Sequence, residues 1–142
     1  MVKEIFDGIS VAICKEFGDG YAVYGDSDVE QGVNTPCFFI VSLSINKKRL
    51  GKRRFRATYS FDVHYMPDSD TEHLEMQEAS EGLLDCLECI TLLDGDMVRG
   101  RGLRTQPVDG VLHCFVDYTV FLQDASRAPE MEHLTVRPTT TN

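Results

Sequence analysis

Two stretches decide the fold: Cys37-Phe38-Phe39-Ile40-Val41-Ser42-Leu43-Ser44-Ile45 and Phe55-Arg56-Ala57-Thr58-Tyr59-Ser60-Phe61-Asp62-Val63-His64-Tyr65. In the first, the odd positions Cys37, Phe39, Val41, Leu43 and Ile45 are apolar, with Ser42 and Ser44 between them. In the second, Phe55, Ala57, Tyr59, Phe61, Val63 and Tyr65 alternate with Arg56, Thr58, Ser60, Asp62 and His64. Because successive side chains of an extended chain point to opposite faces, each stretch reads as a strand with one buried face. The nine residues between them, 46–54, make the pair a hairpin with a long tip.

Upstream, Ile5, Ile9, Ala12, Ile13 and Phe17 recur at spacings of three and four, which predicts a helix over residues 2–17. Gly18 follows where a C-terminal cap belongs. Tyr21–Tyr24 reads as a short strand, and residues 25–35, with Gly32 and Asn34, as a polar loop ahead of Pro36. Downstream, Pro67–Asp70 ends the hairpin and supplies a cap. Leu74, Ala79, Leu83, Leu87 and Ile90 then mark a second amphipathic helix, with Glu72, Glu75, Glu78 and Glu81 on its wet side. Asp94-Gly95 is a turn. Met97–Val108 is a weaker strand broken by Gly100 and Gly102, and Asp109-Gly110 is a tight-turn signal. Val111–Leu122 alternates again, with Leu112, Cys114, Val116, Tyr118, Val120 and Leu122 inward.

The order α-β-β-β-α-β-β with hairpin-linked strands predicts an α+β fold, a mainly antiparallel sheet with two amphipathic helices packed on one face. Residues 1–122 read as a single domain. Residues 123–142 read as a C-terminal extension, apolar only at Leu134 and Val136, that is partly ordered or docks on a neighbour. A chain of 142 residues fits one domain of the usual ~100–200 residues. The 26% charged content argues against disorder, and no repeat is visible. Lys3, Glu4 and Asp7 interrupt the first apolar run, and nothing approaches the ~20 apolar residues of a membrane helix. The expectation is a protein that stays in the compartment where it is made and does not act at a membrane. Five cysteines, mostly among apolar neighbours, read as reduced core thiols.

Charge is uneven. The net −9 is +7 over residues 47–56 and −16 over the rest, and residues 57–98 hold eleven acids and no Lys or Arg. Little else in the sequence points to chemistry. Cys86-Leu87-Glu88-Cys89 has CxxC spacing, but it sits near the end of a predicted helix among acids, where a thiol pKa rises rather than falls. Zinc would need two more ligands, and His64 and His113 lack knuckle spacing with that pair. His64, His73 and His113 suit surface or partly buried structural positions, and Arg99-Gly100-Arg101-Gly102 does not open a helix as a phosphate loop does. No catalytic pair, cofactor site or metal site is read, and the chain is expected not to be an enzyme.

The basic segment is the candidate site: Lys47, Lys48, Arg49, Lys52, Arg53, Arg54 and Arg56. A solvated tip or an edge-strand guard would explain some of it. Seven cations in ten residues repel one another unless an anion lies near, and the segment contains none. An acidic protein face or phosphate would suit it. Since the second helix is acidic, identical copies can pair head to tail, a contact that closes into a ring if the rotation suits. The alternative is a nucleic-acid-binding or other interaction module acting through residues 47–56, which the lack of interleaved aromatics over 46–54 disfavours.

Five motifs carry a resemblance: Phe17-Gly18-Asp19-Gly20-Tyr21; Val29-Glu30-Gln31-Gly32 followed by Pro36-Cys37-Phe38-Phe39-Ile40; Phe61-Asp62-Val63-His64-Tyr65; Val108-Asp109-Gly110-Val111-Leu112-His113; and Phe115-Val116. In colinear order over about residues 2–122, the chain resembles the small tail terminator proteins of bacteriophages and prophages from Firmicutes. The resemblance implies a non-enzymatic virion protein with an α/β sandwich around a mainly antiparallel sheet. It further implies a ring, typically a homohexamer, on the head-proximal end of the tail tube, which stops tube polymerisation and joins the head. The implied partners are other copies of the chain, the tail tube protein and the head–tail connector protein, with a possible DNA passage through the ring. The implied place is the virion tail, after assembly in the bacterial host cytoplasm. The basic residues would then serve subunit or partner contacts or line the passage.

Overall fold

In the computed structural model, which describes residues 1–25, 34–68, 73–124 and 134–138, nine elements follow one another. They are α1 (Val2–Phe17), β1 (Ala22–Gly25), β2 (Cys37–Arg49), β3 (Arg54–Met66), α2 (His73–Cys86), β4 (Cys89–Thr91), β5 (Met97–Val108), β6 (Val111–Asp124) and β7 (Leu134–Pro138). The strands pair in the order β1-β2-β3-β6-β5-β4, and β7 pairs β6 beside that path. β1 lies parallel to β2 and the other pairs are antiparallel. The expected α+β architecture is the one that forms. Residues 26–33 of the predicted 25–35 loop, residues 69 and 70 of the predicted cap, Glu72, and residues 125–133 and 139–142 of the predicted extension lie outside the described residues. No described helix is long and apolar enough to cross a membrane.

The core lies between the helices and one face of the sheet. Ile5, Ile9 and Ile13 of α1 and Ala79 and Leu83 of α2 meet Phe61, Val63 and Tyr65 of β3 and Leu112, Cys114, Val116 and Tyr118 of β6. Two glycines permit the closest approaches. A Cβ on Gly82 would stand 2.6 Å from the Phe17 ring where α2 crosses α1, and one on Gly100 would stand 2.6 Å from the Leu87 carbonyl oxygen. That carbonyl is needed at this spot, because it accepts the hydroxyl hydrogen of buried Tyr118 at 2.7 Å.

Three local expectations are corrected. α2 ends at Cys86, and Ile90 belongs to β4, paired with Val98. Its burial continues the apolar spacing past the helix end, so periodicity alone ran the helix too far. Leu74 is 70% exposed and does not join the apolar stripe of α2. Glu75 is not on the wet side, since the Tyr65 hydroxyl donates to its Oε2. Burial, and then this contact, push the Tyr65 phenol well above its ordinary value.

β2 departs furthest from its alternation. Phe38 and Ile40 face the helices, opposite Tyr65 and Val63, while Cys37 and Phe39 are buried on the other side of the sheet. A bulge at Leu43 inserts one residue between Ser42, paired with Phe61, and Ser44, paired with Ser60, and reverses the phase. Beyond it Ile45, Lys47 and Arg49 stand opposite Tyr59, Ala57 and Phe55. Leu43 and Ile45, expected inward, are 52% and 53% exposed.

Candidate functional site

The seven predicted basic residues are brought together, but not on a nine-residue loop. β2 and β3 continue to Arg49 and Arg54, leaving a tip of residues 50–53. Lys47, Lys48 and Arg49 therefore lie on β2, Lys52 and Arg53 in the tip, and Arg54 and Arg56 on β3. All seven are exposed. The tip is closed by Leu50 N–H donating to the Arg54 carbonyl at 2.8 Å, and the Arg49 guanidinium caps it by donating to the Lys52 carbonyl at 2.8 Å.

This arm extends because β1 stops pairing with β2 at Ile40. Residues 42–49 run on for about 25 Å at the usual rise per residue, and among the described residues no strand pairs their outer edge. Such an edge presents unpaired N–H and C=O groups. Leu43, Ile45 and Leu50, the last 44% exposed, add apolar surface beside the cations.

Among the described residues no carboxylate neutralises the arm. None of the seven cations forms an ion pair among the described residues, and Lys48 stands opposite Arg56, a like-charge pair that disfavours the isolated hairpin. The internal partner is an aromatic face: Lys47 Nζ and Arg49 Cζ each lie 4.6 Å from the centroid of Phe55. Opposite charge lies elsewhere on the chain. α2 carries Glu78, Glu81 and Asp85 exposed and has no Lys or Arg.

The CxxC residues separate, Cys86 closing α2 and Cys89 opening β4. Burial, then Glu16, push the Cys86 thiol up to about 12, and burial does the same to Cys114. Both thiols are protonated at neutral pH.

On the outer face of the sheet, away from the helices, a second group converges that spacing did not reveal. Asp62 and His64 of β3 meet His113 of β6, whose ring stacks toward Phe115 at 6.1 Å, with Arg104 over Phe115 at 4.6 Å. The sequence signal was Asp62-x-His64 on one strand face. The missing piece was the register that sets His113 opposite His64.

A family model described as phage tail terminator protein matches residues 4–130. No curated protein matches the chain.

Proposed function

The chain belongs to the phage tail terminator family, and from that premise we propose a structural role: identical subunits join into a ring that caps the tail tube, stops its polymerisation and presents the surface that joins the head. The observation that carries this reading is the basic arm, a β edge that no strand pairs and whose seven exposed cations form no ion pair among the described residues, with Leu43 and Ile45 exposed beside them. Its complement is the acidic surface of α2, with Glu78, Glu81 and Asp85, on the next copy. A head-to-tail contact of this kind uses two different surfaces of each subunit, and its repetition closes a ring when the rotation between neighbours divides a full turn. Six subunits is the number the resemblance implies, with the tail tube protein on one face, the head–tail connector protein on the other and DNA passing through the centre. The reading assigns no reaction to the chain, and places its assembly in the host cytoplasm.

Opposite charges across such an interface steer encounter and fix register, while the apolar residues beside them supply burial. A module reading nucleic acid through the arm is not favoured. The arm's one aromatic, Phe55, is half-buried and already engaged by Lys47 and Arg49, which leaves no platform for base stacking.

The test is negative-stain imaging and mass measurement of the purified full chain, alone and mixed with polymerising tail tube protein. Rings, or tubes arrested with a cap at one end, are expected. Tubes that grow unchanged in the presence of the chain, with the chain left free, would overturn the reading. Steeply salt-dependent DNA binding together with unchanged tubes would move the arm to the nucleic-acid class.

A further inference from the structure

The outer sheet face carries a side-chain cluster that lies apart from the basic arm. Asp62 and His64 alternate on β3, and His113 on β6 is the register partner of His64, so the three side chains rise from one face. A single carboxylate oxygen, Asp62 Oδ2, lies 2.9 Å from His64 Nε2 and 2.9 Å from His113 Nδ1. The two imidazole rings are 4.2 Å apart between centroids. Asp62 is only 6% exposed, and its other oxygen, Oδ1, is buried without a hydrogen-bond partner among the described residues. A buried carboxylate oxygen left unpaired is costly, and proteins tolerate it mainly where something else answers the charge.

We propose that Asp62, His64 and His113 form a binding site for a divalent transition-metal ion of the zinc type. The donor set is two imidazoles and one carboxylate, which suits zinc, cobalt or nickel. Magnesium and calcium prefer oxygen ligands throughout. The ligand atoms lie within 4.8 Å of one another. Around a tetrahedral ion with bonds near 2.0–2.1 Å, donor atoms stand roughly 3.3 Å apart. The present 2.9 Å contacts therefore need to open by about half an ångström, which side-chain rotation on adjacent strands provides. The two nitrogens that now face Asp62 are the ones that would turn to the metal, and the unpaired Oδ1 becomes a second carboxylate donor or a hydrogen-bond acceptor for metal-bound water. The histidine side chains are 26% and 22% exposed, so the metal is reachable from solvent and its fourth position is open to water.

Such an ion would fasten β3 to β6 at the end of the sheet far from the basic arm, eight residues along β3 from Arg56, about 27 Å at the usual strand rise. The site does not rest on the assembly reading, and the two fail independently.

The test uses the full chain after chelator treatment, titrated with Zn2+ by calorimetry and with Co2+ by its visible spectrum. One equivalent is expected to bind, with the Co2+ spectrum lacking the thiolate charge-transfer band that Cys86 or Cys89 would give. His64→Gln and His113→Gln are each expected to weaken binding about 100-fold or more, and the Cys86→Ser/Cys89→Ser double variant to bind as the parent does. Should either histidine variant fail to fold, the unaltered chain answers by NMR: the imidazole signals of His64 and His113 shift on adding Zn2+ and those of His73 do not. No binding at millimolar metal, binding that survives both histidine substitutions, or a thiolate band lost in the cysteine variant would each overturn the proposal. The triad would then be a buried carboxylate held by two imidazoles and nothing more.

Discussion

β2 and β3 are both 13 residues long, both alternate apolar with polar residues, and pair with each other from Cys37↔Met66 to Arg49↔Phe55. One is core along most of its length and the other is not. β3 buries Ala57, Tyr59, Phe61, Val63 and Tyr65, whereas β2 buries Cys37–Ile40 and is exposed at every residue from Ser42 to Arg49. Composition does not separate them, but neighbours do. β3 has β2 on one side and β6 on the other through its whole length, while β2 has β1 beside it only at Cys37–Ile40. Alternation states which side chains share a face. Whether anything covers that face depends on strand order, which is a property of the whole chain.

The sharpest way to break this comparison is to truncate matched apolar residues on the two strands. Phe61→Ala on β3 is expected to lower unfolding free energy by about 3–5 kcal/mol, as loss of a fully buried ring does. Ile45→Ala on β2 is expected to change it by less than about 0.5 kcal/mol, as at other half-exposed sites. Urea melts of the two variants measure both. Similar losses would mean that the arm is part of the core.

A smaller effect separates the core from the arm by pH. Burial raises the Cys86 and Cys114 thiols from 9.0 to about 12 in the folded chain. Folding thus favours the neutral thiol. The associated stability is complete below the unfolded value near 9 and is lost as pH rises from there toward 12, by about 1.4 kcal/mol per thiol one pH unit above it. Urea melts at rising pH should show the decline, and Cys114→Ala should flatten it, while Ile45→Ala on the arm should leave it as steep as in the parent. An alkaline slope that ignores Cys114 would assign the loss to other groups.

The smallest effect lies within the arm. Lys48→Glu turns the like-charge pair with Arg56 into an attractive one and is expected to stabilise the isolated chain by about 0.5 kcal/mol while weakening self-association. Thermal melts and sedimentation of the same sample read the two together. A variant that is both less stable and better assembled would contradict the assignment of these cations to an intermolecular partner.

Much of this fold was legible because β3 and β6 are central strands whose alternation is enforced by the helices, and α1 has a stripe that meets them. The errors fall where a local pattern met a non-local fact. In β2 it is Phe38 and Ile40 that face the helices; the bulge at Leu43 returns Ile45 to that face, opposite Tyr59, but beyond β1 nothing described covers it, and Leu43 and Ile45 are half-exposed. Ile90 kept helical spacing with Leu83 and Leu87 although the helix ends at Cys86, because β4 returns it to the same core. The basic cluster was visible from charge alone, but its placement on two extended strands was not, since no sequence signal marks where β1 stops covering β2. The Asp62, His64 and His113 cluster needed the pairing of β3 with β6, strands separated in the chain by α2, β4 and β5.

The central claim is that the arm assembles and the rest of the chain folds without it. The most direct measurement compares the parent with the Lys47→Gln/Lys48→Gln/Arg49→Gln/Arg56→Gln variant, imaging tail tube protein polymerised in the presence of each. The expected result is a variant with an unchanged thermal melt that neither forms rings nor arrests tubes, beside a parent that does. A variant that caps tubes as well as the parent would contradict the claim.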